Sequence, residues 1–294
     1  MELCIDFGGT EIKIVVAEGG AVVAAEHVAV VGAEADLETG ADAARRLCAR
    51  EGIEPDAVGI AVPGVVDVAS GRMLHAHEKY GFLDGVDLSA WGRSIFGAPT
   101  VVENDARAAL IGEVAAGSAR GARDVVAVTL GTGIGTAAMV GGALVRGRSG
   151  HAGILGGHVT VDLDGPRCAC GNVGCAEELA SGRALRAFAP LTMRDLFERD
   201  HTAQLRERFL RVWGAVVVTL IRAYDPEVVV LSGGVLRAGR AVSEPLRAYV
   251  DDHTWPSMTP PRVVVAAHPE LSVARGLSVL AQSAANPLHR LEAQ

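Results

Sequence analysis

Aromatic side chains are scarce in this chain: they make up 4% of its 294 residues, so its interior must be assembled mainly from Ala, Val and Leu. Long hydrophobic runs are missing as well. The most apolar stretches, such as Ala215 to Ile221, fall far short of the roughly 20 residues a membrane-spanning helix needs. Nor is there an excess of basic charge. With 27 Lys and Arg against 35 Asp and Glu, the formal charge is −8, which disfavours a nucleic-acid or anionic-membrane surface. The opening residues Met1-Glu2-Leu3-Cys4-Ile5-Asp6 show no basic segment ahead of an apolar one, so no leader peptide is expected. These absences read as a cytoplasmic protein with neither a nucleic-acid nor a membrane partner. What is present is 49% hydrophobic content, abundant Gly, and enough length for two domains with cores of their own.

Along the chain, Leu3 to Phe7 is a short apolar strand that stops at Gly8-Gly9. Strands resume over Lys13 to Ala17 and Ala21 to Val31, giving a hairpin start. Ala35 to Glu51 has helical spacing of Leu37, Ala41, Ala44, Leu47 and Cys48, with Gly40 as a weak point. Asp56 to Val62 is a buried-type strand closed by Pro63-Gly64. Thr100 to Val102 is another strand, and Asp105 to Ala116 is a helix with a small apolar face. After a Gly-, Ala- and Arg-rich connection, Val125 to Leu130, Gly131 to Gly135 and Thr136 to Val140 repeat the strand, Gly turn, strand logic of the N-terminus. Helices are expected between Ser181 and Tyr224, strands at Val228 to Leu231 and Val263 to Ala266, and a helix from Ser272. The expected division is a smaller α/β lobe over 1–117, completed by the C-terminal helix at about 272–294, and a larger lobe over 118–271.

Three Gly-rich turns follow strands: Asp6-Phe7-Gly8-Gly9-Thr10, Gly131-Thr132-Gly133 and Ser232-Gly233-Gly234. A strand ending in Gly-Gly-Thr lets a phosphate approach backbone N–H groups, because no Cβ stands in the way. Thr10 adds a hydroxyl, and Asp6 is an oxygen ligand of the type that holds magnesium through water. Alone, each turn is equally well a plain glycine hairpin. Neither nucleotide fingerprint applies: the P-loop lysine is missing, and the context is strand-turn-strand rather than strand-turn-helix. Elsewhere, His158 precedes Cys168-x-Cys170-x₄-Cys175. Three thiolates and one imidazole make a four-coordinate set suited to structural zinc, with no position open to water. Cys4 and Cys48 read as core residues.

Taken in order and spacing, Asp6 to Thr10, Pro63-Gly64, Glu103-Asn104-Asp105, Gly131 to Gly135, the His158 and Cys cluster, and Gly233-Gly234 resemble the ROK family of sugar kinases and sugar-responsive repressors over nearly the whole chain. The resemblance implies an actin-like, hexokinase-like (ribonuclease H-like) fold of two α/β lobes closing over ATP and a sugar. It implies Mg2+ with ATP, structural Zn2+ on His158, Cys168, Cys170 and Cys175, and often a homodimer. Gly8, Gly9, Thr10, Gly131, Thr132, Gly133, Gly233 and Gly234, with Asp6, would bind nucleotide. Asp105 alone would read as a helix N-cap; the resemblance makes it the general base that takes a sugar hydroxyl proton. Asn104, Asp105, His158 and Glu177 would contact the sugar.

The chain departs from the pattern in two places. Leu155 stands where the family's sugar kinases carry a Glu three residues before the histidine, and Met73 to Leu83, a loop expected to overhang the cleft and read the substrate, has His75, His77, Glu78, Lys79 and Tyr80 in place of an Asn-Leu and Trp pattern. The expected activity is ATP-dependent phosphorylation of a hexose or amino sugar, with polyphosphate as another donor to try. The alternatives are a weak kinase or a sugar-binding regulator, although no basic recognition helix is present.

Overall fold

The computed structural model describes residues 1–76, 78–188 and 190–285. His77 of the expected substrate loop and residues 286–294 of the expected C-terminal segment lie outside them. The chain forms two compact units. One comprises Met1–Arg120, Gly147–His151 and the described residues from Glu270; the other comprises Gly121–Arg146 and Ala152–Pro269. Both are mixed α/β. Gly147–His151, which the sequence reading placed inside the larger lobe, packs with the first unit.

In the first unit, β1 (Glu2–Phe7), β2 (Glu11–Glu18) and β3 (Ala21–Ala29) form an antiparallel meander, followed by helix α1 (Ala35–Glu51) and strand β4 (Ala57–Val62). β1 and β4 are buried at every position, as expected for strands covered on both faces, whereas β3 is largely exposed along the sheet edge. The weak point in α1 has a purpose: Gly40 lies against the Phe7 ring. Gly52 ends the helix in the left-handed conformation. A small hairpin of β5 (Gly64–Asp67) and β6 (Arg72–Ala76), helix α2 (Leu88–Phe96) and strand β7 (Thr100–Asn104) follow, leading directly into α3 (Asp105–Ala116). The sheet order is β3-β2-β1-β4-β7, with β1, β4 and β7 parallel. Several of the few aromatics pack together here: Phe7 meets Tyr80 and Trp91 edge-on at 6.1 and 6.3 Å, and Trp91 meets Phe96 at 6.3 Å.

The second unit holds β8 (Val125–Leu130), β9 (Ile134–Val140) and β10 (Ala143–Leu144), then short helices α4 (Ala176–Ala180), α5 (Gly182–Phe188) and α6 (Met193–Glu198), and the long α7 (Ala203–Tyr224). β11 (Val228–Ser232), α8 (Arg240–His253) and β12 (Arg262–Val265) complete it. Its order, β10-β9-β8-β11-β12, reproduces the first sheet: an antiparallel pair on one side of the leading strand and two parallel strands on the other. α7 buries Phe209, Trp213, Val216, Val217 and Leu220, and the Trp213 indole N–H donates to the Ala180 carbonyl at 2.6 Å. Among the described residues, no helix is long and apolar enough to cross a membrane.

The helix α9 (Pro269–Ala285) returns to the first unit, where it crosses α3 through glycines. A Cβ at Gly276 would lie 1.8 Å from the Ala108 carbonyl oxygen, and one at Gly112 would lie 2.0 Å from that of Ser272. Ser278 donates to Glu2 at 2.7 Å, and Ser272 bonds the buried Glu113. Gly276→Ala would gain up to about 1 kcal/mol of helix propensity, but the overlap with backbone dominates. The expected outcome is a net loss of about 1–3 kcal/mol, read as a lower denaturation midpoint.

Candidate functional site

The candidate residues fall into two sets, one in each unit. In the first, parallel register decides the arrangement. Asp6 lies beside Ala61, and Ala61 beside Glu103, so β1 and β7 end on the same side of the sheet with β4 between them. This places Asp6 and the first residue of α3, Asp105, at one sheet end. Burial pushes the Asp6 carboxyl up to about 7, with the negative charge of Asp105 adding to the shift and Lys13 opposing it. Asp6 has no hydrogen-bond donor among the described residues. A buried, undonated carboxylate is a poor resting anion and a good ligand for a hard cation, so its chemistry fits magnesium.

Asp105 does not cap its helix. Asn104 does, accepting from the Arg107 N–H at 3.1 Å, which is a correction to the simplest reading of the Glu-Asn-Asp motif. The Asn104 Nδ2 group donates both to the Gly64 carbonyl and to Asp105 Oδ1, each at 3.0 Å. The buried Asn104 is therefore committed to the fold and to orienting its neighbour. Asp105 Oδ1 also accepts from the Ala106 N–H at 2.8 Å, and Oδ2 has no donor among the described residues. Burial pushes this carboxyl up to about 6, against the hydrogen bonds that pull it down. Gly64 has φ +149° and no room for a side chain, since a Cβ there would lie 2.3 Å from the His75 carbonyl oxygen.

The turn that follows β1 is tied back by Gly8 N–H to the Glu11 carbonyl at 3.1 Å. The N–H groups of Gly9 and Thr10 have no intramolecular acceptor among the described residues, and both residues are exposed. The second unit repeats this. Gly131 N–H donates to the Gly133 carbonyl at 3.0 Å, while the N–H groups of Thr132 and Gly133 have no acceptor among the described residues. The start of α5 secures the loop, with Gly182 N–H on Gly131 O and Arg183 N–H on Thr132 O, both at 2.9 Å. Gly233, at φ +97°, lies against β8, where a Cβ would sit 2.3 Å from the Leu130 carbonyl oxygen. Gly233-Gly234 and Gly131 to Gly133 thus share one sheet end.

Glu177 is placed differently from a free sugar acceptor. Its Oε2 accepts from the Ile134 N–H at 2.7 Å, and its Oε1 pairs with Arg183 at 3.1 Å. A Cβ at Gly133 would lie 2.5 Å from that Oε2, so Gly133 is what lets the carboxylate reach the loop. Thr136 fixes the segment before the histidine, donating to Gly153 O at 2.8 Å and accepting from Gly156 N–H at 2.9 Å. Leu155 stands 40% exposed in that segment.

His158, Cys168, Cys170 and Cys175 come together with all four donor atoms within 4.8 Å of one another. His158 Nδ1 lies 3.5 Å from Cys168 Sγ, and the sulfurs of Cys170 and Cys175 lie 3.6 Å apart. Zinc–sulfur bonds of about 2.3 Å and zinc–nitrogen bonds of about 2.0 Å give tetrahedral edges of roughly 3.5–3.8 Å, so the spacing and donors fit that metal. Burial pushes the Cys175 thiol up to about 12, a cost that a coordinated cation removes by holding the thiolate. The loop folds tightly: Cys168 N–H bonds Asn172 O at 2.8 Å, and Gly174 packs where a Cβ would lie 1.6 Å from the Asp162 carbonyl oxygen.

Sequence reasoning treated the 73–83 segment as an overhanging substrate loop. Its later part, a 3-10 helix over Glu78–Leu83, instead holds the turn after β1: Tyr80 donates to Gly8 O at 2.8 Å and Lys79 to Gly9 O at 3.0 Å. Arg183 and Thr136 were likewise missed, because neither belongs to a motif.

A repeated five-stranded α/β unit with a Gly turn after its leading strand, present twice, defines the two-lobed, actin-like sugar-kinase fold. The chain belongs to the ROK family, whose family model matches residues 2–284. It is 30% identical to a glucokinase of Thermotoga maritima, covering 90% of this chain and 91% of that one. It is also 30% identical to an N-acetylmannosamine kinase of Salmonella typhi, over 84% and 87% of the two chains. A ROK glucokinase from Streptomyces griseus, solved with glucose and AMPPNP, is 30% identical and superposes with a TM-score of 0.82 over 96% of this chain and 99% of that one.

Because Asn104 both caps α3 and holds Asp105, Asn104→Ala is expected to cost about 0.5–2 kcal/mol of stability in denaturant titration. Asn104→Asp keeps the capping oxygen but turns a second acceptor toward the Gly64 carbonyl and Asp105 Oδ1, so it should not recover that loss.

Proposed function

We propose that the chain transfers the terminal phosphoryl group of ATP to a hydroxyl of a hexose or amino sugar. The orientation of Asp105 carries the reading: Oδ1 is fixed by two donors, Oδ2 is available, and a pKa near 6 makes a better base than an ordinary carboxylate while leaving it ionised at neutral pH. The sugar O–H gives its proton to Asp105 as its oxygen bonds the γ-phosphorus, and the bond from that phosphorus to the ADP oxygen breaks. Gly8, Gly9, Thr10, Gly131, Thr132, Gly133, Gly233 and Gly234 are the nucleotide-binding residues in this assignment. The free N–H pairs of the first two turns are suited to phosphate oxygens. Asp6 holds magnesium, which neutralises phosphate charge when bound.

Asp105→Asn is expected to fold normally and to lose transfer by about 10²- to 10⁴-fold, the range for loss of an acid–base group. For the wild type, kcat/KM should rise as pH increases through about 6 and level off above it, since only the deprotonated carboxylate accepts a proton. An ADP-release assay over hexoses, N-acetylhexosamines and ketoses tests the activity; an active Asp105→Asn enzyme would refute the assignment.

Zinc on His158, Cys168, Cys170 and Cys175 is structural in this reading, because four protein ligands leave no open position. Metal analysis should find about one zinc per chain, and chelation should lower the unfolding temperature. Fully folded, metal-free protein would sink this part of the proposal.

Leu155 favours a second reading, a nucleotide- and sugar-binding regulator with weak transfer, because an apolar side chain accepts no hydroxyl. ATP binding without turnover on any sugar would select it.

A further inference from the structure

The turn after β1 lacks the lysine that a P-loop carries within its own sequence, and we infer that Lys79, from a separate segment, supplies that charge and contacts the phosphoryl group in transfer. The inference rests on the kinase reading above. Its basis is a built seat for one side chain. Lys79 Nζ lies 3.0 Å from the Gly9 carbonyl oxygen, on the turn whose Gly9 and Thr10 N–H groups have no acceptor among the described residues.

The stem of Lys79 is guided there. It passes over Gly32, where a Cβ would lie 3.3 Å from both Lys79 Cβ and Cγ, and Gly32 has φ +80°. That turn is fixed in turn by the fully buried Asp36, which accepts from the Val31 and Gly32 N–H groups at 2.9 and 2.8 Å. Next in sequence, Tyr80 is buried to 1% exposure and anchors the segment by its bond to Gly8 O and its edge contact with Phe7. Two consecutive side chains therefore grip two consecutive carbonyls of the turn.

Charge accounting points the same way. The nearby Lys13 shares its charge with Glu11, at 3.9 Å. Lys79 makes no ion pair among the described residues. One of its three N–H groups serves Gly9 O, and two remain for an anion. Asp6 and Asp105 add negative charge at this end of the sheet, and an incoming triphosphate needs a cation from the protein as well as its own magnesium.

The test compares wild type, Lys79→Met, Lys79→Arg and Tyr80→Phe, in ADP-release kinetics and in calorimetric binding of magnesium-AMPPNP and AMP. Lys79→Met should lower kcat/KM for ATP by about 10- to 100-fold, weaken AMPPNP but not AMP, and leave the sugar KM unchanged. Lys79→Arg should restore most of the activity. Tyr80→Phe, which loosens the turn without altering charge, should not discriminate between the two nucleotides. Wild-type turnover with an unimpaired Lys79→Met enzyme would overturn the role of Lys79 and leave the kinase reading standing. So would a Lys79→Met enzyme that behaves like Tyr80→Phe and is not rescued by Arg, because the contact would then be a clamp alone. A wild type that neither binds AMPPNP nor turns over any sugar would remove both.

Discussion

The parallel register of β1, β4 and β7 is the constraint on which the rest depends. It carries two carboxylates that are far apart in sequence, Asp6 and Asp105, to one end of one sheet, with the small Ala61 between their rows. Every nearby feature serves that end. Asn104 spends its amide on the Gly64 carbonyl, the cap of α3 and Asp105; Gly64 makes room for the chain beside it; and α9 closes on α3 through paired glycines that hold the helix in place. The second unit applies the same topology to a different purpose. Its leading strand ends in a loop held by Glu177 and Arg183, and its next parallel strand ends at Gly233, pressed against that loop's base.

Function is held here at the expense of the resting fold. Asp6 and Asp105 keep protons in the folded chain at pH values where an unfolded chain has released them. Their folded values lie above the ordinary 3.8, so folding takes up protons, and these two groups weaken the fold as pH rises from about 4 to about 7. A divalent cation bound at Asp6 would offset that cost and so couple metal binding to stability.

Much of this was legible in the sequence, for definite reasons. Leu3 to Phe7, apolar but for Asp6, and Val228 to Leu231 are strand-length runs that lead into Gly-Gly turns, and the Cys cluster is dense enough to state its chemistry. The repeated strand-turn-strand pattern announced two units of like topology. What stayed hidden depends on distance in the chain. The excursion Gly147–His151 has no composition of its own. α8 and α2 each carry an apolar face, but Pro245 within the first and the short span of the second hide them. Asn104 reads as a ligand until its three hydrogen bonds are seen, and Glu177 reads as a free carboxylate until the missing Cβ of Gly133 lets it reach Ile134. The fit of Lys79 to the first turn required knowing that Gly32 lies beneath its stem.

The first unit is discontinuous, and this bears on how the protein is made. Its sheet is encoded near the start, but α9, which buries Cys4 and satisfies Glu2 through Ser278, is encoded after the entire second unit. A ribosome therefore releases the β1 to α3 portion with that face uncovered, and it stays so while more than a hundred further residues, from Gly121 to Pro269, are synthesised. The second unit can finish first. The unit that carries Asp105 reaches its final form only when its last helix emerges, so a chain broken off early leaves the ribosome with one face of its first sheet uncovered.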